Sequence, residues 1–348
     1  MSSMISGEAM GLQNPTRKQI PVSKFRVEDI RPGTRTRLEL VVDCLPNGQP
    51  LVFSTLIVRG NRPGKVFLAT GGVHGDEYEG PIAIQDVFEE LDPRSFSGTF
   101  VAIPILNTPA FMAATREGGW DHQNLARIFP GSPAGTISER IAYAFSTYIV
   151  SQAEFYVDLH AGGNGYQIKP FAGYQIVSAG LNAVQRAAAI AWGFDLVWGT
   201  VGLPGRSLSA ARDRGVPAIY VEMPGEGRCR PDDRAQARQG LRNLLAFLEM
   251  LPGDFPTVSP EFCFETNTEG AGHLQVDHPS PASGLFVPAV SVWEPVEKGQ
   301  SLGQVRHPDG SVMADVPSDR AGRVLFLRTL PRVFAGDFLV FVLELPVA

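Results

Sequence analysis

Apolar positions along this chain switch between a period of two and a period near 3.6, and the switches lay out its elements. Residues 37–43 and 51–58 are β-prone runs around Leu45-Pro46-Asn47-Gly48-Gln49-Pro50. An Asn-Gly pair between two such runs predicts a hairpin. Residues 66–70 are apolar on both faces and stop at Gly71-Gly72, the pattern of a central strand in a parallel or mixed sheet. Residues 81–91 place Ile82, Ile84, Val87, Phe88 and Leu91 at helical spacing, and 99–105 read as the next strand. Further along, 137–151 predicts an amphipathic helix, 154–159 a strand, 181–192 a helix, 218–222 a strand and 232–251 a long helix.

Strands that alternate with helices at this pitch predict an α/β fold: a mixed central sheet with helices on both faces. After about residue 255 the helical period disappears, and short β-prone runs separated by Gly and Pro predict a C-terminal all-β domain. The expected division is a flexible N-terminus at 1–25, an α/β domain at 26–255 and a C-terminal β domain at 256–348. No internal repeat or low-complexity tract interrupts it.

Composition narrows the class. The 348 residues are 44% hydrophobic and 19% charged, as in an ordinary globular protein. The net charge is −6 and no block of Lys and Arg occurs, which argues against nucleic acid or an anionic membrane as partner. Apolar stretches such as 338–345 are too short to cross a bilayer, and residues 1–19 lack the apolar core of a signal peptide. Cys44, Cys229 and Cys263 are odd in number and widely spaced, so neither disulfides nor a thiolate metal site is expected. A cytoplasmic location is the resulting expectation. Self-association into a homo-oligomer is left open.

The polar residues that carry chemistry fall where predicted strands end, the usual place for ligands in such sheets. Gly72-Val73-His74-Gly75-Asp76-Glu77 puts an imidazole and a carboxylate three residues apart in a glycine-bearing loop. His160 closes the strand Asp158-Leu159-His160. Two His and one Glu with a free fourth position make a catalytic zinc site, so His74, Glu77 and His160 are the candidate ligands of one Zn2+. Asp158 shares a strand face with His160 and is placed to orient it. Glu222 ends an apolar strand and is the candidate general base, with Glu226 as its competitor. Arg127 stands in an apolar Leu/Ile/Phe context, where a guanidinium suits a substrate carboxylate or an oxyanion; Arg116 can serve likewise.

With these residues assembled, the chain resembles the aspartoacylase/succinylglutamate desuccinylase family, relatives of the zinc carboxypeptidases. The resemblance rests on Gly72 to Glu77, on Asn107, Pro109, Arg116, Asn124-Leu125-Ala126-Arg127 and Phe129-Pro130-Gly131, on Asp158-Leu159-His160 and on Val221-Glu222. It spans roughly residues 35–250, and 283–303 are similar to the β domain appended in that family. Residues 74–85 (HGDEYEGPIAIQ) are similar to the bacterial subgroup that includes N-acetyl-diaminobutyrate deacetylase. The resemblance implies a zinc carboxypeptidase-like fold, zinc on His74, Glu77 and His160, Glu222 as base and Arg127 as oxyanion or substrate ligand. One position departs: the family usually has Asn before that Arg, and here it is Ala126. Asn124, two residues earlier, is the candidate replacement and, with Arg116 and Arg127, a candidate substrate-binding residue.

The expected activity is therefore zinc-dependent deacylation of a small N-acyl amino acid or N-acetyl-diamino acid. A metallocarboxypeptidase acting on peptides, a non-catalytic metal-binding relative, and a carrier-type role for the β domain through Lys298 are the rivals.

Overall fold

The computed structural model describes residues 17–177, 179–252 and 259–345. Of the segment expected to be flexible, 1–16 lie outside the described residues, and the rest is held in the fold. β1 (Lys18–Pro21) pairs in parallel with β2 (Thr34–Cys44), and Val22 and Phe25 just beyond it are buried. Backbone pairing is indifferent to the polar side chains of β1, and the two apolar anchors dock the turn beyond it. The predicted hairpin forms: β2 runs antiparallel to β3 (Pro50–Arg59), with Gly48 supplying the positive φ at the turn.

Seven more strands complete a ten-stranded mixed sheet. They are β4 (Arg62–Thr70), β5 (Ser97–Ile103), β6 (Phe155–Ala161), β8 (Phe171–Ile176), β9 (Leu196–Val201), β10 (Ala218–Met223) and β11 (Phe262–Thr266); the short β7 (Tyr166–Ile168) lies outside it. The order is β1-β2-β3-β5-β4-β6-β10-β8-β9-β11. In β4 and β6 the alternate residues Phe67, Phe155 and Val157 face one core and Leu68 and Tyr156 the other, which is why both runs read as apolar throughout. On the first face lie α1 (Glu79–Glu90), α4 (Ala179–Trp192) and α6 (Pro231–Phe247), which contribute Val87, Phe88, Trp192 and Leu241. On the second lie α3 (Ile137–Ala144) and α5 (Ser207–Arg212), with Ile141 and Leu208. The short α2 (Thr108–Ala113) follows β5.

Three elements differ from expectation. The helix predicted over 137–151 starts on a Thr136/Glu139 capping box, but leaves α-geometry after Ala144 for a π turn and a 3-10 turn. The β-branched residues Thr147, Ile149 and Val150 crowd that stretch. β8 was not foreseen because Gly173 interrupts its pattern; the glycine is required, since a β-carbon there would lie 2.3 Å from the Tyr220 ring. β11, beyond the expected boundary at 255/256, belongs to the central sheet through parallel pairing with β9. Local periodicity carries no information about such a distant partner.

The remaining strands, β12 (Gly284–Pro288), β13 (Pro295–Val296), β14 (Ser301–Arg306), β15 (Val312–Pro317), β16 (Gly322–Arg328), β17 (Arg332–Val333) and β18 (Val340–Leu343), form two antiparallel sheets at the C-terminal end. β7 adds to the second of them beside β16. These sheets enclose Phe286, Leu302, Val324 and Val342. A further apolar cluster joins them to the central sheet: Phe171, Leu196 and Trp198 meet Leu325, Phe326, Phe338 and Phe341.

A half-buried charge cluster ties the segment before β12 to the loop after β15. His278 Nδ1 lies 3.2 Å from Asp277 Oδ2 and Nε2 3.1 Å from Asp319 Oδ1, while Arg320 bonds Asp277 at 2.8 Å. Burial lowers the His278 pKa, but its bond to Asp277 and the charges of Asp277 and Asp319 outweigh that and hold it above 6.5. A group raised in the folded state contributes its full stabilisation below its unfolded pKa and loses it as pH rises through the folded value. Urea midpoints of His278→Ala and the parent chain should therefore differ more at pH 6 than at pH 9; an equal gap at both would refute the coupling.

Candidate active site

The loop after β4 is pressed against α2, where a β-carbon on Gly75 would come within 2.0 Å of the Ala110 carbonyl carbon. Asn107 holds it from the other side, its backbone N–H donating to the Gly72 carbonyl (2.9 Å) and its side-chain amide to the Val73 carbonyl (3.2 Å). The clamped loop buries His74 and Glu77, 3% and 2% exposed. Parallel pairing of β4 with β6 brings His160 alongside. Glu77 Oε1 lies 2.7 Å from His74 Nδ1, and Glu77 Oε2 lies 3.0 Å from His160 Nδ1. One ligand atom from each of the three residues falls within 4.8 Å of the others, so the group can hold a metal ion.

The far side of each imidazole is also engaged. His160 Nε2 is 3.1 Å from Asp158 Oδ2, and His74 Nε2 is 3.2 Å from Asn124 Oδ1. Asp158 is fully buried and accepts further bonds from the Thr70 hydroxyl (2.7 Å) and from Ser207. An ionised carboxylate only accepts, which assigns the Nε2 proton to His160 and turns Nδ1 toward Glu77. Burial and then the charge of Arg116 lower His74 to about 4, leaving a neutral imidazole, the form that binds metal. Burial alone would lower His160, yet Asp158 and Glu77 pull its pKa up; burial alone would raise Glu77, yet the two histidines pull it down. Two carboxylates that favour a proton on His160 favour a dication equally, and the N, N, O donor set suits zinc.

Glu222 stands on β10 at the register position of His160 on the neighbouring β6. Its carboxylate makes no hydrogen bond among the described residues and borders a cavity of about 90 Å³. Burial holds its pKa up at about 8, with the charge of Glu77 adding and His160, Arg116 and Arg206 opposing. Its sequence competitor Glu226 is paired with Arg230 instead. Arg116 reaches the ligand group, with Nη1 3.3 Å from His74 Nδ1 and 3.5 Å from Glu77 Oε1. Arg127 lines the cavity with Nη1 bonded to the Ala126 carbonyl at 3.0 Å. Loss of water in the cavity and then the charges of Arg206 and Arg116 lower its pKa, though it remains a cation at neutral pH.

Asn124 departs from its expected place on the substrate. Its amide oxygen is taken up by His74 Nε2 and by the Ala126 backbone N–H at 3.0 Å, and it does not line the cavity. Ala126, the unusual residue, is buried and does line it. Neither His122, His273, His278 nor His307 lines the cavity. Arg206 was missed. It follows Leu203-Pro204-Gly205 as an unremarkable loop arginine, but its half-buried guanidinium enters the cavity with no hydrogen bond or ion pair among the described residues. An arginine just ahead of Ser207, in a loop following a strand, was the available signal. Gly272, Leu274, Gln275 and Phe326, all C-terminal to β11, also line the cavity.

The family model described as Succinylglutamate desuccinylase/Aspartoacylase catalytic domain matches residues 63–248, more than half of the 348. An N-alpha-acetyl-L-2,4-diaminobutyric acid deacetylase from Halomonas elongata is 29% identical over 85% of this chain and 86% of its own length. Among solved structures, a succinylglutamate desuccinylase from Silicibacter sp. TM1040 superposes with a TM-score of 0.81 at 26% identity, covering 91% of this chain and 98% of that one. The product-bound ectoine utilization protein of Ruegeria pomeroyi gives 0.80 at 28%, covering 90% and 96%. The matched stretch contains His74, Glu77, His160 and Glu222, and on this match the chain belongs to the succinylglutamate desuccinylase/aspartoacylase family.

Proposed function

We propose that the chain is a zinc-dependent deacylase that hydrolyses the amide bond of a small N-acyl amino acid or N-acetyl-diamino acid. The observation that carries this reading is the convergence of His74, Glu77 and His160 beside an unpartnered Glu222 carboxylate in one cavity. His74, Glu77 and His160 would hold the ion, which when bound supplies Lewis acidity and makes water acidic enough to attack at neutral pH. Glu222 takes the proton of the attacking water and hands it to the departing amine nitrogen, a double task suited to a carboxyl that titrates near neutrality. Arg127 receives the carbonyl oxygen as it gains charge, and Arg116 and Arg206 supply cations for a substrate carboxylate. Asp158 and Asn124 keep the imidazoles turned to the ion.

The reading as a deacylase is preferred to a carboxypeptidase because a cavity of about 90 Å³ suits a small molecule better than a peptide. A non-catalytic role is disfavoured because a carboxylate that lines the cavity without a hydrogen-bond partner among the described residues is placed for chemistry rather than for stability.

The zinc-loaded protein should release free amino acid from some member of a panel of N-acyl amino acids and N-acetyl-diamino acids, lose that activity on chelation and regain it with zinc. Turnover of none, or turnover indifferent to chelation, would sink the proposal. Glu222→Gln should lower kcat by about 10²–10⁴-fold with KM little changed; undiminished kcat would show that the proton is carried elsewhere. Asp158→Asn should weaken zinc affinity by about 10–100-fold in a competition titration, in a protein whose circular dichroism matches the parent.

A further inference from the structure

The ladder that aligns β4 with β6 ends at Thr70 and Asp158, four residues short of His74 and two short of His160. Past that point, two hydrogen bonds join the segments among the described residues. One runs from His160 to Glu77, inside the ligand group itself. The other lies outside it: Asp76 Oδ2 accepts the Asn164 backbone N–H at 3.0 Å. Gly163 stands at positive φ beside this bond, and a β-carbon there would lie 2.5 Å from Asp76 Oδ2. The close approach of the carboxylate to the turn after His160 is therefore built into the backbone.

The contact does not stop at Asn164. Its side-chain amide donates to the Ala114 carbonyl at 3.1 Å, and the Gly75 N–H donates to the neighbouring Thr115 carbonyl at 2.9 Å. The residues just ahead of Arg116 are thus held between the two ligand-bearing segments. Arg116 then reaches back to within 3.3 Å of His74 Nδ1 and 3.5 Å of Glu77 Oε1. The Gly227 N–H donates to the Gly163 carbonyl at 2.7 Å, which joins the loop after Glu222 to the same turn. Asp76 Oδ1, by contrast, is buried with no hydrogen-bond partner, a cost to folding. A carboxylate that leaves one oxygen unsatisfied while the other holds a backbone N–H argues for alignment rather than stability.

We infer that Asp76 is a positioning residue: its bond to Asn164, made where the sheet ladder has run out, fixes the spacing of the His74/Glu77 loop from His160 and, through Asn164, the place of Arg116. What those groups then do rests on the deacylase reading of the same site; their spacing does not. Outer partners that orient metal ligands act on ion affinity, whereas a cation for the substrate acts on KM, so the two arms of the contact are separable.

The test uses Asp76→Ala, Asp76→Asn and Asn164→Ala, each with a circular dichroism spectrum matching the parent. Zinc affinity is read by competition titration, and kinetics are read on whichever N-acyl amino acid the parent turns over. Asp76→Ala should weaken zinc binding by about 10–100-fold. Asp76→Asn, whose amide oxygen can still accept from Asn164, should recover most of that affinity. Asn164→Ala keeps the backbone N–H but frees Ala114; zinc binding should stay near that of the parent while KM rises about 10-fold with kcat little changed. Undiminished zinc affinity in Asp76→Ala overturns the inference. So does an Asp76→Asn as weak as Asp76→Ala, since charge and not the bond would then be what Asp76 supplies. Should Asp76→Ala fail to fold, Asn164→Ala decides: an unchanged KM overturns the inference, and a raised one with zinc affinity intact supports it. If no compound is turned over, the deacylase reading falls and the zinc titrations still decide the role of Asp76.

Discussion

A single carboxylate, that of Glu77, bridges two imidazoles that arrive from different parts of the chain, and the rest of the site is arranged around this contact. Glu77 and His74 come from one loop, while His160 comes from a strand edge more than eighty residues away. Removing a carboxylate from water is expensive unless it is paired and hydrogen-bonded, so this group is tolerable only with both histidines in place. Parallel register among β4, β6 and β10 then does two further things. It sets Thr70 opposite Asp158, which orients His160, and it sets Glu222 opposite His160. His160, its orienting Asp158 and the proposed base are thus placed by the hydrogen-bonded sheet, while His74 and Glu77 stand on a loop clamped by Asn107 and α2.

The C-terminal strands are tied to the same centre. The backbone after His160 and the backbone after Glu222 cross so closely that a β-carbon on Gly225 would come within 2.4 Å of the Gly162 α-carbon. Between them Ile168 donates to the Pro224 carbonyl at 3.0 Å, and β7, which contains Ile168, pairs on its other side with β16. Glu79, at the start of α1, accepts the Gly225 N–H at 2.7 Å. β16 in turn carries Phe326 into the cavity wall. A strand of three residues therefore connects the C-terminal sheets to the loops that follow His160 and Glu222.

Electrostatic balance gives the cavity its character. Three guanidiniums face a region whose carboxylates are Glu77, engaged by both histidines, and Glu222, an environment that draws in anionic and carbonyl groups. The loss of an amide at Ala126 does not leave His74 without its orienting partner, because Asn124 occupies that role. Ala126 itself is a buried apolar residue in the cavity wall.

Much of this was legible in the chain itself. Residue spacing and element ends picked out His74, Glu77, His160 and Glu222, because ligand chemistry restricts residue types and strand ends restrict where they stand. The hairpin at Asn47-Gly48 and the apolar strands at 66–70 and 154–159 were equally readable, since turn chemistry and two-sided burial act through neighbouring residues. What the tertiary structure alone decided depends on partners far apart in sequence. The antiparallel insertion of β8, the addition of β11 to the central sheet and the anchoring of Phe25 are long-range pairings that leave no local periodicity. The entry of Arg206 into the cavity, the turning of Asn124 toward His74 and the reach of Asp76 to the Asn164 N–H are directions of side chains. A side chain's direction is set by packing against elements whose position the sequence does not encode nearby, and so only the folded chain reveals it.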